Sequence, residues 1–176
     1  MMMKMLDAAG LELFVDNLRA ADEDNPKGYF EYEPVKALDK TEDRSWLKQS
    51  KGKVIKIISF LLPHLPEDCY YRIIFMRRDL HEVMASQNKM LSRRREPVDE
   101  DGGEKMIGIW QRHLRKIGYM LGEQDNVEVL DVGYTDVLGA PREQAQRVSK
   151  FLEARFDLDA MAGVVDERLY HNRRGS

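Results

Sequence analysis

Residues 71–78 read YRIIFMRR, and the four consecutive apolar side chains from Ile73 to Met76 constrain the fold more than any other stretch. A strand that is apolar at successive positions must be covered on both faces, as happens inside a parallel sheet. The run ends in Arg77 and Arg78, and a helical pattern begins at Asp79 and continues to about Leu91. A strand passing straight into a helix is the repeating unit of an α/β fold.

The rest of the chain keeps that alternation. Met2, Met5, Leu6 and Ala9 recur at helical spacing, and Gly10 is placed to end that helix. LELFV at 11–15, KVIKIISF at 53–60 and VEVLDV at 127–132 read as further strands. Residues 16–31 are rich in Asn, Asp, Pro and Gly and read as a long loop, followed by a short helix from Pro34 to Asp39. A charged loop, SRRREPVDEDGG, leads to a long amphipathic helix through EKMIGIWQRHLRKIGYML, and a last helix opens on Pro141 and runs through PREQAQRVSKFLEARF. At 176 residues this is one domain. The expected class is α/β, a mainly parallel sheet between helices.

Charge limits the partners. The chain has 28 basic and 31 acidic side chains, a net −3, which excludes the strong positive excess of a general nucleic-acid binder. Any anion site must be local. Cys69 is the only cysteine, so no internal disulfide forms, which fits a reducing cytoplasm. Asp7 and Glu12 interrupt the apolar N-terminal run, and nothing approaches the roughly 18 apolar residues of a membrane span. A soluble cytoplasmic protein is expected.

Arg78 stands at the carboxyl end of its strand, where ligands collect in open α/β sheets. Asp79 and Glu82 have the spacing of a capping box, a local role that needs no ligand. Ser86 lies eight residues after Arg78, about 10 Å along a helix. Its side chain leans back toward the helix start, so one phosphate could touch both residues. Either side chain alone fits a neutral surface position, and a strand-end arginine should add little to the core.

RDLHEVMAS resembles the 3′-phosphate-binding motif of sulfotransferases, with Arg78 and Ser86 in the two phosphate-binding positions and Val83 at the apolar position between them. Leu80 stands where family members often have proline. YTDVLGAPREQAQRVSKFL resembles a second family segment, anchored here by Tyr134, Asp136, Pro141, Phe151 and Leu152, with Thr135 departing from its usual glutamate. The resemblance implies a P-loop-type three-layer fold and the cosubstrate 3′-phosphoadenosine 5′-phosphosulfate (PAPS). It also places Tyr134 near the adenine; without it, Tyr134 is a strand-end core residue. The helix following the family's phosphate loop is similar to MMMKMLDAAGLEL, so the resemblance implies an N-terminally truncated domain lacking the first strand and P-loop. Loss of an internal strand would expose two edges and favour self-association.

Sulfuryl transfer requires a base for the acceptor hydroxyl and cations for the transferring group. His64 in PHLP is only 14 residues before Arg78, too close for the family's histidine, which would fall between Lys56 and Ser59; it reads as a loop or capping residue. Some bacterial family members use a glutamate from the early loop, which makes Glu31 and Glu33 candidates. Glu31 is preferred because it follows the aromatic pair Tyr29 and Phe30. Lys56, on a strand otherwise apolar, would face the sulfuryl group or lie at a sheet edge. The basic clusters at 92–95 and 171–174 read as a solvated loop and a tail, the second loosely resembling a basic family segment over the 3′-phosphate. The function so implied is transfer from PAPS to the hydroxyl or amine of a small-molecule, carbohydrate or lipid acceptor. The alternative is an inactive remnant serving as a binding module. A nucleotide kinase or hydrolase is disfavoured, since no Lys-Ser/Thr phosphate loop stands out.

Overall fold

The computed structural model describes residues 1–16, 18–19, 28–93 and 103–166. In chain order its elements are α1 (Met2–Ala8), α2 (Trp46–Gln49), β1 (Tyr71–Arg77), α3 (Leu80–Arg93), α4 (Gly103–Gly122), β2 (Val127–Gly133), α5 (Tyr134–Gly139), α6 (Pro141–Phe151) and α7 (Leu158–Gly163). Two short 3-10 helices, Glu33–Ala37 and Ser59–His64, lie before β1.

β1 and β2 pair in parallel over their full length, with Tyr71 opposite Val127 and Arg77 opposite Gly133. Their side chains alternate between two covered faces. Ile74, Met76, Leu130 and Val132 enter a core with Met2, Met5 and Leu6 of α1, Ala145 and Val148 of α6 and Met161 of α7. Ile73, Phe75 and Val127 face the other way, onto Ile117 and Leu121 of α4. Helices therefore cover both faces of a parallel α/β sheet, as the apolar run in β1 requires. Met5, Val132, Val148 and Met161 are fully excluded from water. Burial of each such side chain contributes about 1.5–3 kcal/mol.

Several elements differ from the sequence expectation. The strands at 11–15 and 53–60 contract to one parallel bridge, Leu13 to Val54. Phe14 N–H donates to the Val54 carbonyl at 2.8 Å, and Val54 N–H donates to the Glu12 carbonyl at 2.9 Å. Beyond that bridge the β-branched run meets no described ladder partner, and strand propensity does not substitute for pairing. Ser59–His64 then winds into a 3-10 helix carrying Pro63. The short helix expected at 34–39 is likewise tightened into 3-10 geometry at Glu33–Ala37. The last expected helix stops at Phe151, because Glu153 takes a positive φ of 54°. A separate α7 follows, capped by Asp157, whose carboxylate accepts from the Asp159 and Ala160 amides at 3.0 and 2.9 Å. Gly10 ends α1 as expected, at φ 83°.

Candidate functional site

Arg77 and Gly133 are the last paired residues of the two strands. The residues that follow them, Arg78 and Tyr134, therefore leave the sheet side by side. The Arg78 guanidinium carbon lies 4.9 Å from the centre of the Tyr134 ring, within cation–π range. A Cβ at Gly133, where β2 passes into α5, would stand 2.8 Å from Asp136 Cγ, so a larger residue there would make that carboxylate turn aside.

Asp79 caps α3, its carboxylate accepting from the His81 and Glu82 amides at 2.8 and 3.3 Å. Glu82, whose amide donates to that cap, also reaches Arg78. Its Oε2 is 3.4 Å from Arg78 Nε, and it is only 6% exposed. It is the one buried ionisable side chain among the described residues. A carboxylate so placed needs a cation beside it. Ser86 follows one turn beyond Glu82 on the same face of α3 and is half-buried. Burial pushes the Tyr134 hydroxyl above its ordinary range; the Arg78 charge opposes this and Glu82 reinforces it.

Glu31 and Lys56, 25 residues apart, meet at 3.2 Å between Lys56 Nζ and Glu31 Oε1. Lys56 also donates to the Tyr29 carbonyl. Arg19 and Lys36 complete the surroundings of Glu31 at 3.7 and 3.6 Å. Arg19 also covers the Tyr29 ring, with its guanidinium carbon 3.3 Å from the centroid. Phe30 adopts a left-handed φ of 51° between Tyr29 and Glu31, a conformation costly for an aromatic residue. Burial pushes the Glu31 carboxyl up, but the Lys56 hydrogen bond and the charges of Lys56, Arg19 and Lys36 prevail and hold it below its ordinary value. The arrangement keeps a carboxylate charged beside an ammonium that also donates to a backbone carbonyl.

Other sequence candidates take simpler places. Glu33 pairs with Lys36 at 2.7 Å on the surface. His64 is the last residue of its 3-10 helix. In the basic cluster at 92–95, Arg93 ends α3, while 94–95 and the second cluster at 171–174 lie outside the described residues. Sequence reasoning missed Glu82 as the partner of Arg78, and Arg19 and Lys36 as partners of Glu31. Only the four-residue step from Arg78 to Glu82 could have signalled any of these.

Arg78 and Tyr134 thus follow the carboxyl ends of two paired parallel strands, the place where open α/β sheets collect ligands. The chain matches the model of the sulfotransferase family across residues 24–158, roughly three quarters of its length, and belongs to that family. Both stretches carrying the motif, 78–86 and 134–152, fall inside the match. No curated protein and no solved structure matches the chain. Membership brings a P-loop-like fold, with sulfuryl transfer as the family's general chemistry and small molecules as its acceptors. No described helix is long and apolar enough to cross a membrane.

Proposed function

We propose that this protein binds PAPS through Arg78, Ser86 and Tyr134 and directs its sulfuryl group to an acceptor hydroxyl. The juxtaposition of Arg78 and Tyr134 carries the reading. A cation beside an aromatic ring suits a ligand combining a phosphate with a flat base. The contact of Glu82 with the guanidinium Nε supports this reading, because a buried carboxylate beside Arg78 restricts where that side chain can go.

The cosubstrate supplies an activated sulfuryl group. Glu31 acts as the base that takes the acceptor's hydroxyl proton, and Lys56 stabilises negative charge developing at the transferring group. Their contact explains how one carboxylate can serve both states. While Lys56 holds it, Glu31 stays ionised and weakly basic. When Lys56 turns toward the developing negative charge, Glu31 loses its nearest cation and its proton affinity rises.

We read residues 1–176 as one such domain. Ile73 and Ile74, adjacent on β1, enter separate cores on the two faces of the sheet, and Ile57 joins one of those cores to the cluster around Trp46. The single cysteine agrees with a reducing compartment, and we assign the protein to the cytoplasm.

Titration calorimetry with adenosine 3′,5′-bisphosphate and with adenosine 5′-monophosphate tests the reading. The bisphosphate should bind at least about tenfold tighter, one charge-assisted contact's worth. Equal affinities would remove the 3′-phosphate role of Arg78 and Ser86.

A further inference from the structure

Arg78, Glu82 and Ser86 follow one another at four-residue steps, a spacing that puts side chains on one face of a helix. Glu82 and Ser86 belong to α3, and Arg78 comes just before its first residue, Leu80. The guanidinium nevertheless leans over the same face, since its Nε lies 3.4 Å from Glu82 Oε2. Tyr134 approaches from α5, with its ring centre 4.9 Å from the Arg78 guanidinium carbon. After burial, the charges of Arg78 and Glu82 both act on its hydroxyl, in opposite senses. A phosphate that touches Arg78 and Ser86 together therefore lies over Glu82, which is only 6% exposed.

That placement sets a condition on the ligand. The cation a phosphate seeks at Arg78 already faces a carboxylate, and two anions drawn to one guanidinium repel each other. Burial screens such a pair poorly. An ionised carboxylate only accepts hydrogen bonds, at either oxygen, so the group that eases the crowding must be a donor. The 3.4 Å contact to Nε is longer than the about 2.7–2.9 Å of a close charge-assisted bond. Glu82 is held near Arg78 by a loose contact, one with which a donor on the ligand can compete. In a ribose 3′-phosphate, the 2′-hydroxyl on the adjacent carbon is such a donor.

We infer that Glu82 reads the ribose of the nucleotide: its carboxylate accepts a hydrogen bond from the 2′-hydroxyl while Arg78 and Ser86 hold the neighbouring 3′-phosphate. The ligand class so defined is a ribonucleoside 3′-phosphate. Nucleotides with hydrogen or a methyl ether at the 2′ position offer Glu82 no donor and are disfavoured. A site built around a substrate hydroxyl rejects the analogue lacking it, because its own buried polar group is then left unpaired. At 6% exposure, Glu82 has little water to take the place of that hydroxyl. This deepens the reading of Arg78 and Ser86 as the 3′-phosphate site and rests on it, but the two fail in different ways.

The probes are adenosine 3′,5′-bisphosphate, its 2′-deoxy and 2′-O-methyl analogues, and adenosine 5′-monophosphate, each titrated calorimetrically into the full chain. The native protein should bind the deoxy and methyl analogues at least about tenfold more weakly than the ribose form, the worth of one hydrogen bond to a charged group. In Glu82→Met, which keeps the length of the side chain but has no carboxylate, the ribose and deoxy affinities should converge to within about twofold. Glu82→Gln, whose amide oxygen accepts without a charge, should retain a smaller preference for ribose. Far-ultraviolet circular dichroism checks that both variants fold. Equal ribose and deoxy affinities in the native chain overturn the inference, and that comparison needs no variant. So does a deoxy penalty that persists undiminished in folded Glu82→Met, since it would then come from the sugar's own conformation. A bisphosphate that binds no tighter than the monophosphate marks failure of the 3′-phosphate reading itself. One that binds tighter than the monophosphate, but no better than its deoxy analogue, leaves that reading standing and removes only the role given to Glu82.

Discussion

Replacing Arg78 by alanine separates what this residue does for a ligand from what it does for the fold. Loss of a charge-assisted contact to a 3′-phosphate costs about 2–4 kcal/mol of binding, or roughly 30- to 1000-fold in affinity. The structure adds a second cost that the sequence did not suggest. Glu82 is 6% exposed and has the Arg78 guanidinium 3.4 Å away. Removing one partner of a fully buried pair costs about 3–5 kcal/mol. The Arg78 side chain is 27% exposed, so water offsets part of this, and about 1–3 kcal/mol is the expected loss. For a chain of this length that lowers Tm by several degrees.

The double variant Arg78→Ala with Glu82→Gln resolves the two effects. Glutamine retains shape and hydrogen bonding but carries no charge, so most of the lost stability should return. Binding should not. Calorimetry with adenosine 3′,5′-bisphosphate and adenosine 5′-monophosphate, beside thermal unfolding, reads both quantities. The single and double variants should lose the bisphosphate equally and bind the monophosphate almost as the native chain does. A folded double variant with native bisphosphate affinity would refute the role given to Arg78.

Glu31 titrates below its ordinary value of 4.5 in the folded protein. Its stabilising contribution is therefore complete above that pH and disappears as pH falls through the lowered folded value. Urea unfolding at pH 6 and pH 3.5 should show a smaller drop in midpoint for Glu31→Gln than for the native chain; an identical drop would mean that the surrounding cations do not act on it. Gly10 has φ 83°, and a Cβ added there would meet nothing within 4 Å, so Gly10→Ala should cost about 1 kcal/mol through backbone strain alone, with Gly10→Asn costing less in the same denaturation series. Met161 is wholly buried where α7 meets α1 and the sheet. Met161→Ala should lower unfolding free energy by about 2–5 kcal/mol, and a loss under about 1 kcal/mol would show that α7 is not part of the cooperative core.

Legibility in the sequence followed the range of the interactions. β1 was readable because four apolar residues in a row dictate two covered faces, and Asp79 because capping is decided within three residues. The segment at 53–60 was not, since its composition is that of a strand while its ladder depends on a neighbour 41 residues earlier, which engages it only at Val54. Glu82 had the spacing of a capping residue, and its contact with Arg78 depends on the passage from β1 to α3 that brings that guanidinium within reach. Glu31 and Lys56 were each picked out by residue type, but no local pattern links positions 25 apart. Tyr134 illustrates the general condition. Alone it is one more aromatic residue after a strand. It becomes a neighbour of Arg78 only because β2 pairs with β1 in parallel with Arg77 opposite Gly133. A one-residue slip would reverse which face of β2 meets each core, placing Val132 and Leu130 on the wrong side. The same apolar alternation that buries Val132 therefore sets the register that carries Tyr134 to Arg78.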